Sequence, residues 1–306
     1  MWKAAMLRRP KLGRSSCKGI TEYSKAGVTY WTNGRSNPPK PDNLDLVIRW
    51  GTTSNVECKR VLNKSEAIHK VADKAGFRKL LSDNGLTGVV ISDLPNLLTA
   101  VGSWVIRPKY HQQGKKLWVV NNSTTAEERG AIVANAGPGW YAAPLFSKTK
   151  EYRVCFVQGR VAWVAEKIPS DPNQVAWNVA QGGTFNNVSW GSWNLRVVRV
   201  AREAFLLSGL DFGGVDIMVN KYNNTFVLEM NSAPSLTSPY RQECMAKCFD
   251  WIVKSEDKEP IPVVSSLGGW RKFIHPAISS EAWMAEPEMV DEDEEEDEVN
   301  DQPFEI

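Results

Sequence analysis

The chain has 306 residues, 42% of them hydrophobic and 24% charged, with a formal net charge of +2. That length builds more than one layer of core and more than one domain, and the composition excludes fibrous and wholly disordered classes. No apolar run is long enough to span a bilayer, and the basic start MWKAAMLRRPKLGRSS lacks the apolar stretch of a secretory signal.

The five cysteines (Cys17, Cys58, Cys155, Cys244, Cys248) are odd in number and form no CxxC pair. They are expected to be free thiols in a reducing compartment, so a cytoplasmic location is expected. Charge is distributed unevenly. Residues 291–298 are eight consecutive acids, whereas residues 1–80 hold 17 Lys/Arg against six Asp/Glu. A basic front suits a polyphosphate ligand or an acidic substrate, with nucleic acid the less favoured partner. The acidic tail is too charged to fold alone and either shields the basic face or serves as an interaction tail.

In chain order, residues 1–62 predict a short α/β domain. Its strands are expected at Lys3 to Leu7 and Leu44 to Gly51, with turn and loop between them. Asn63 to Asn84 predicts one amphipathic helix with Ala67, Ile68, Val71, Ala75, Phe77, Leu80 and Leu81 on its apolar stripe. Asn63 or Ser65 would cap it and Gly85 would end it. On helix statistics, Lys74 within it is a solvated surface residue. Val101 to Val120 predicts strand, loop, strand. Its HQQGKK loop, which contains His111 and Gly114, could cover phosphates through backbone N–H groups or be an ordinary hairpin loop. Residues 124–136 predict a short helix.

Glu151 to Lys167 predicts a hairpin turning at Gln158-Gly159, with Tyr152, Val154, Phe156, Val161 and Trp163 on one face. Arg153 falls on the other face, as an exposed residue or a site residue. Simple pairing puts Lys167 opposite to Arg153 unless a bulge intervenes. Asp171 to Trp193 predicts a long loop. Leu195 to Ser208 predicts a helix with Val197, Val198, Ala201, Phe205 and Leu206 inward. A further helix starts at Ser238-Pro239, where Tyr240, Cys244, Cys248 and Ile252 form a packing stripe. Residues 256–306 predict a Pro- and acid-rich tail.

The stretch Asp211 to Ser235 carries the chemistry. GGVDIMV and TFVLEMN alternate apolar and polar residues around a turn at Asn220 to Asn224, an antiparallel hairpin. Pairing Asn220 with Thr225 sets Asp216 opposite Glu229. Val215, Ile217, Val219, Phe226, Leu228 and Met230 then share the apolar face, and Asp216, Glu229 and Asn231 the other. Two facing carboxylates repel, so a shared proton or a cation has to offset them. With the Asn231 oxygen they form an all-oxygen set suited to Mg²⁺ on a phosphorylated ligand, with Mn²⁺ as an alternative. The competing reading is a solvated polar face.

The series EYRV, NVAQGG, GLDFGGVDIM and VLEMNSAPSL, in this order and spacing, resembles the ATP-grasp superfamily. Its branch of ribosomal-protein glutamate ligases is the most similar, with glutathione synthetases and D-alanine–D-alanine ligases as relatives. The resemblance runs from about Asn63 to Val253. It implies an α+β fold in which two α/β subdomains, 63–145 and 146–255, clamp ATP behind the short N-terminal domain. It further implies that Asp216, Glu229 and Asn231 hold Mg²⁺, and that Lys74, Arg107, Gly114, Leu145, Glu151 and Lys167 bind ATP. Arg153 and Asn178 would hold the transferred phosphoryl group and the acyl intermediate. Arg107 stands where the family has a lysine, and Ala143-Pro144-Leu145-Phe146 lacks the usual acidic residue of the adenine hinge. The activity implied is ATP-dependent joining of a small-molecule or peptide carboxylate to an amine through an acyl phosphate. Two alternatives stay open, an ATP-grasp kinase and a non-catalytic binding or structural protein. Oligomeric state is not legible, and no membrane partner is expected.

Overall fold

The computed structural model describes residues 1–10, 12–32, 40–91, 93–110, 117–177, 182–189, 192–256 and 272–278. Helices and sheets mix throughout, and among the described residues no helix is long and apolar enough to cross a membrane. The five cysteines are free thiols.

The first sheet is parallel, in the order β2-β1-β3-β4. Its strands are β1 (Ala4–Arg8), β2 (Thr29–Thr32), β3 (Leu46–Trp50) and β4 (Arg60–Leu62). β1 and β3 are buried along their whole length, as strands covered on both faces are. The stretch expected to be loop between them contains β2 and the helix α1 (Arg14–Tyr23). The buried residues of α1 are Ser16, Cys17, Gly19 and Ile20, too few large apolar side chains to print a stripe.

The single helix expected over 63–84 is two: α2 (Ser65–Ala72) and α3 (Lys74–Asp83). Asp73 leaves helical geometry at ψ 84° and accepts a hydrogen bond from Gly76 N, so it restarts the helix as an N-cap. Neither Asn63 nor Ser65 caps α2. The Ser65 hydroxyl donates to Thr53 O, and the Asn63 carboxamide accepts from the backbone N–H groups of Asp211 and Phe212.

The second sheet, in the order β6-β5-β7, is antiparallel. It consists of β5 (Trp104–Pro108), β6 (Trp118–Val120) and β7 (Trp140–Pro144), with α4 (Ala126–Asn135) nearby, started by a Thr125/Glu128 capping box. Leu94, Leu97, Ile106, Val120 and Ala142 form its core.

The third sheet is antiparallel and five-stranded, in the order β10-β9-β8-β11-β12. Its strands are β8 (Lys150–Val157), β9 (Arg160–Ile168), β10 (Thr184–Asn187), β11 (Phe212–Val219) and β12 (Thr225–Asn231). The helices α5 (Leu195–Ser208) and α6 (Pro239–Ser255) complete the fold. β10 lies in the stretch expected to be loop; its TFNN sequence makes a half-exposed edge strand with little apolar signal. On α5, Leu206 points outward at 53% exposure, while Ala204 and Ser208 take inward positions.

Two β-bulges decide which side chains share a face. On β12 the pairs run Val219 with Thr225 and Ile217 with Val227, then skip Leu228 to set Asp216 against Glu229. Val227, rather than Phe226 or Leu228, is therefore the fully buried core residue beside Met230. On β9 the register shifts between Cys155 and Phe156, so Trp163 pairs with Cys155 on the Arg153 side instead of joining Phe156.

Candidate functional site

The β9 bulge brings together what simple pairing would separate. Beyond it Lys167 pairs with Glu151 and Ala165 with Arg153, so Glu151, Arg153 and Lys167 share one face. β11 lies on the other side of β8 and sets Asp216 against Arg153. Asp216 therefore sits on a central strand with Arg153 on one flank and Glu229 on the other.

Asp216 is 2% exposed. Arg153 meets it with two parallel bonds, Nε to Oδ1 at 2.7 Å and Nη2 to Oδ2 at 2.9 Å. Lys167 Nζ bridges Asp216 Oδ2 at 2.8 Å and Glu151 Oε1 at 2.6 Å. Lys148 closes the chain by donating to Glu151 Oε2 and to Val175 O. The cation that relieves the facing carboxylates is thus supplied first by the protein itself. Burial opposes the charges on Arg153 and Lys167. The carboxylates outweigh it, Asp216 foremost, and both pKa values end above their ordinary values. On Lys148 burial prevails over Glu151 and the pKa is lowered.

Glu229 is more open, with 29% of its side chain exposed. Asn231 Nδ2 donates to its Oε1 at 3.2 Å, and Lys74 Nζ stands 4.0 Å from Oε2 while donating to Met230 O at 2.7 Å. The helix restart at Asp73 therefore carries Lys74 off the surface into the site, where burial lowers its pKa. One turn along α3, Arg78 Nη2 donates to Leu228 O at 2.7 Å, and burial lowers its pKa to about 10. Lys74, Arg78, Arg107, Tyr141, Leu228 and Glu229 line a cavity between α3, the second sheet and β12. Arg107 stands over the Tyr141 ring at 5.7 Å. Leu145 N donates to Ser103 O at 2.8 Å, and next to it Phe146 stacks on Phe226 at 4.2 Å.

Among the described residues, six cationic groups (Lys74, Arg78, Arg107, Lys148, Arg153 and Lys167) thus converge on three carboxylates (Glu151, Asp216 and Glu229). An excess of positive charge calls for a polyanion, not for a bare cation. The oxygens still suit a hard cation that arrives with such a ligand. Glu229 is part-exposed, and Asn231 Oδ1 accepts no hydrogen bond among the described residues. Asn178 and Gly114 lie outside the described residues. Sequence reading missed Arg78, Lys148 and Phe185. Arg78 could have been found from its i, i+4 spacing to Lys74. Phe185, on β10, lies 5.0 Å from the Arg153 guanidinium and 5.1 Å from that of Arg241, and no pattern in TFNN announces it.

No family model and no curated protein matches this chain. Solved structures do. An ATP-grasp ligase from Chryseobacterium gregarium, associated with a ribosomally made peptide and solved with ADP and a leader and core peptide, is 12% identical. The match covers 84% of this chain and 98% of that one with a TM-score of 0.61. D-alanine–D-alanine ligase from Bacillus anthracis is 11% identical over 84% of this chain and 100% of its own, at a TM-score of 0.59. The ATP-grasp ligase PsnB, solved with a minimal precursor, Mg and ADP, is 14% identical over 80% and 97%, at 0.55. At such identities the likeness is one of fold.

Proposed function

We propose that this chain, which has the ATP-grasp fold, is an ATP-dependent carboxylate–amine ligase. The observation that carries the reading is the convergence of Lys74, Arg107, Arg153 and Lys167 on the face that holds Asp216, Glu229 and Asn231. In this reading residues 63–145 and 146–255 are the two subdomains that hold the nucleotide, behind the N-terminal residues 1–62. The working compartment is the cytoplasm.

Asp216, Glu229 and Asn231 would hold Mg²⁺, or Mn²⁺ in its place. The ion, when bound, offsets charge on the phosphate oxygens. Lys74, Arg107 and Lys167 neutralise the polyphosphate, Glu151 fixes Lys167, and Leu145 borders the base. We propose that Gly114 contacts the phosphates as well. The substrate carboxylate attacks the γ-phosphorus and ADP leaves. An amine then attacks the acyl carbon, a C–N bond forms and inorganic phosphate departs. Arg153 Nη1 makes no hydrogen bond among the described residues, so it is the donor free to meet the transferred group and the tetrahedral oxyanion, a task we propose Asn178 shares. The similar structures solved with peptides make a peptide substrate one candidate and a small acid another.

ADP release with pools of acids and amines tests the reading. The wild type should turn over with at least one acid–amine pair and Glu229→Gln should be inactive. Equal turnover by the two proteins would sink it.

A further inference from the structure

β3 ends against the loop that follows Asn231. A Cβ placed on Gly51, whose φ is 66°, would stand 2.8 Å from the Cβ of Ala233. Two residues back on the same strand is Arg49, only 7% exposed. Its Nε is fully enclosed without a hydrogen bond, and among the described residues Arg49 forms no ion pair. It pairs with Leu7 of β1 and shares that face of the sheet with Val47 and Trp31. The acid of this strand region, Asp45, lies at the far end of β3, where it accepts from Lys3 N and Lys59 Nζ. Arg8 of β1, itself 7% exposed, alternates onto the opposite face, where Nη1 donates to Arg9 O and Leu12 O.

A buried guanidinium without a counterion is costly, and such a group persists where something else supplies the charge. The carboxyl ends of parallel strands are where open α/β sheets take ligands. We propose that Arg49 anchors an anion subsite that holds a carboxylate or phosphate group at the far end of the ligase substrate. The identity of the occupant rests on the ligase reading, whereas the subsite itself rests on Arg49. The substrate class that follows is an acid or amine carrying a second anionic group.

The test is thermal melting at constant ionic strength with three probes: sodium chloride, glutarate and inorganic phosphate. The wild type should melt higher in glutarate or in phosphate than in chloride, and whichever arm responds identifies the group. Arg49→Gln and Arg49→Met should melt at or above the wild type in chloride, because each removes a buried uncompensated charge. Their apparent affinity for the responding anion should fall by about tenfold or more, the loss expected for one charge-assisted bond. An equal anion response in the wild type and both Arg49 variants would overturn the subsite, as would no response in the wild type. So would melting of both variants far below the wild type in chloride, which would make Arg49 a structural group. The two readings fail separately. Loss of ADP release with a persisting Arg49-dependent shift removes the ligase and leaves the subsite; ADP release with identical anion responses does the reverse.

Discussion

Asp216 and Glu229 face each other across one strand pair, yet their surroundings assign them different work. Asp216 is enclosed and held by Arg153 and Lys167. Replacing it with Asn leaves two buried cations short of their shared partner, a loss of about 3–5 kcal/mol by the usual cost of breaking a buried pair. Glu229 is part-exposed; it accepts from Asn231 Nδ2 at 3.2 Å and has Lys74 Nζ 4.0 Å away. Its replacement by Gln should cost roughly 1 kcal/mol or less, the range of exposed pairs. Urea unfolding of the two variants checks this. Equal losses would show that Asp216 is not the structural member of the pair. The division matters for the proposed function, because Glu229→Gln should then remove ADP release while the fold is kept.

At the level of elements, two single-residue bulges organise the site. Skipping Leu228 puts Val227 into the core and turns Leu228 towards the cavity. Val227→Ala should therefore cost about 2 kcal/mol or more in unfolding free energy, and Leu228→Ala roughly 1 kcal/mol. Strict alternation counted from the turn forecasts the reverse order, so a larger loss for Leu228→Ala would mean that the strand has no bulge. The same comparison shows how much was legible in the sequence. Long alternating or helical runs such as Leu195 to Ser208, and the opposition of Asp216 to Glu229, follow from period and turn chemistry alone. A bulge does not, since Leu228 and Ala162 look like any other apolar residue of their strands. Nor do α1 and β10, whose packing depends on Gly, Ser and short polar segments, or β2, four residues long and buried at Trp31 and Thr32 alone. The break at Asp73 was hidden for another reason: an Asp inside a helical pattern becomes a cap only when the chain uses it as one. That break is also what converts Lys74 from a surface lysine into a site residue.

For the molecule as a whole, the three sheets meet around a face whose own ion pairs leave it positively charged. The second sheet supplies Arg107, α3 supplies Lys74 and Arg78, and the third sheet supplies Arg153, Lys167 and the acids. The parallel N-terminal sheet approaches from the side of Ala233 and brings a further buried guanidinium at Arg49. Such an arrangement fits a substrate with a polyphosphate at one end and an acid group at the other. In the proposed reaction a carboxylate is activated by phosphorylation before an amine takes it. Trapping with hydroxylamine tests that step most directly, because an acyl phosphate yields a hydroxamate whereas an ordinary phosphate ester does not. With MgATP, an acid pool and hydroxylamine, the wild type should form a hydroxamate in step with ADP, and Glu229→Gln should form neither. ADP produced together with a stable phosphate ester and no hydroxamate, or equal hydroxamate from both proteins, would contradict the account.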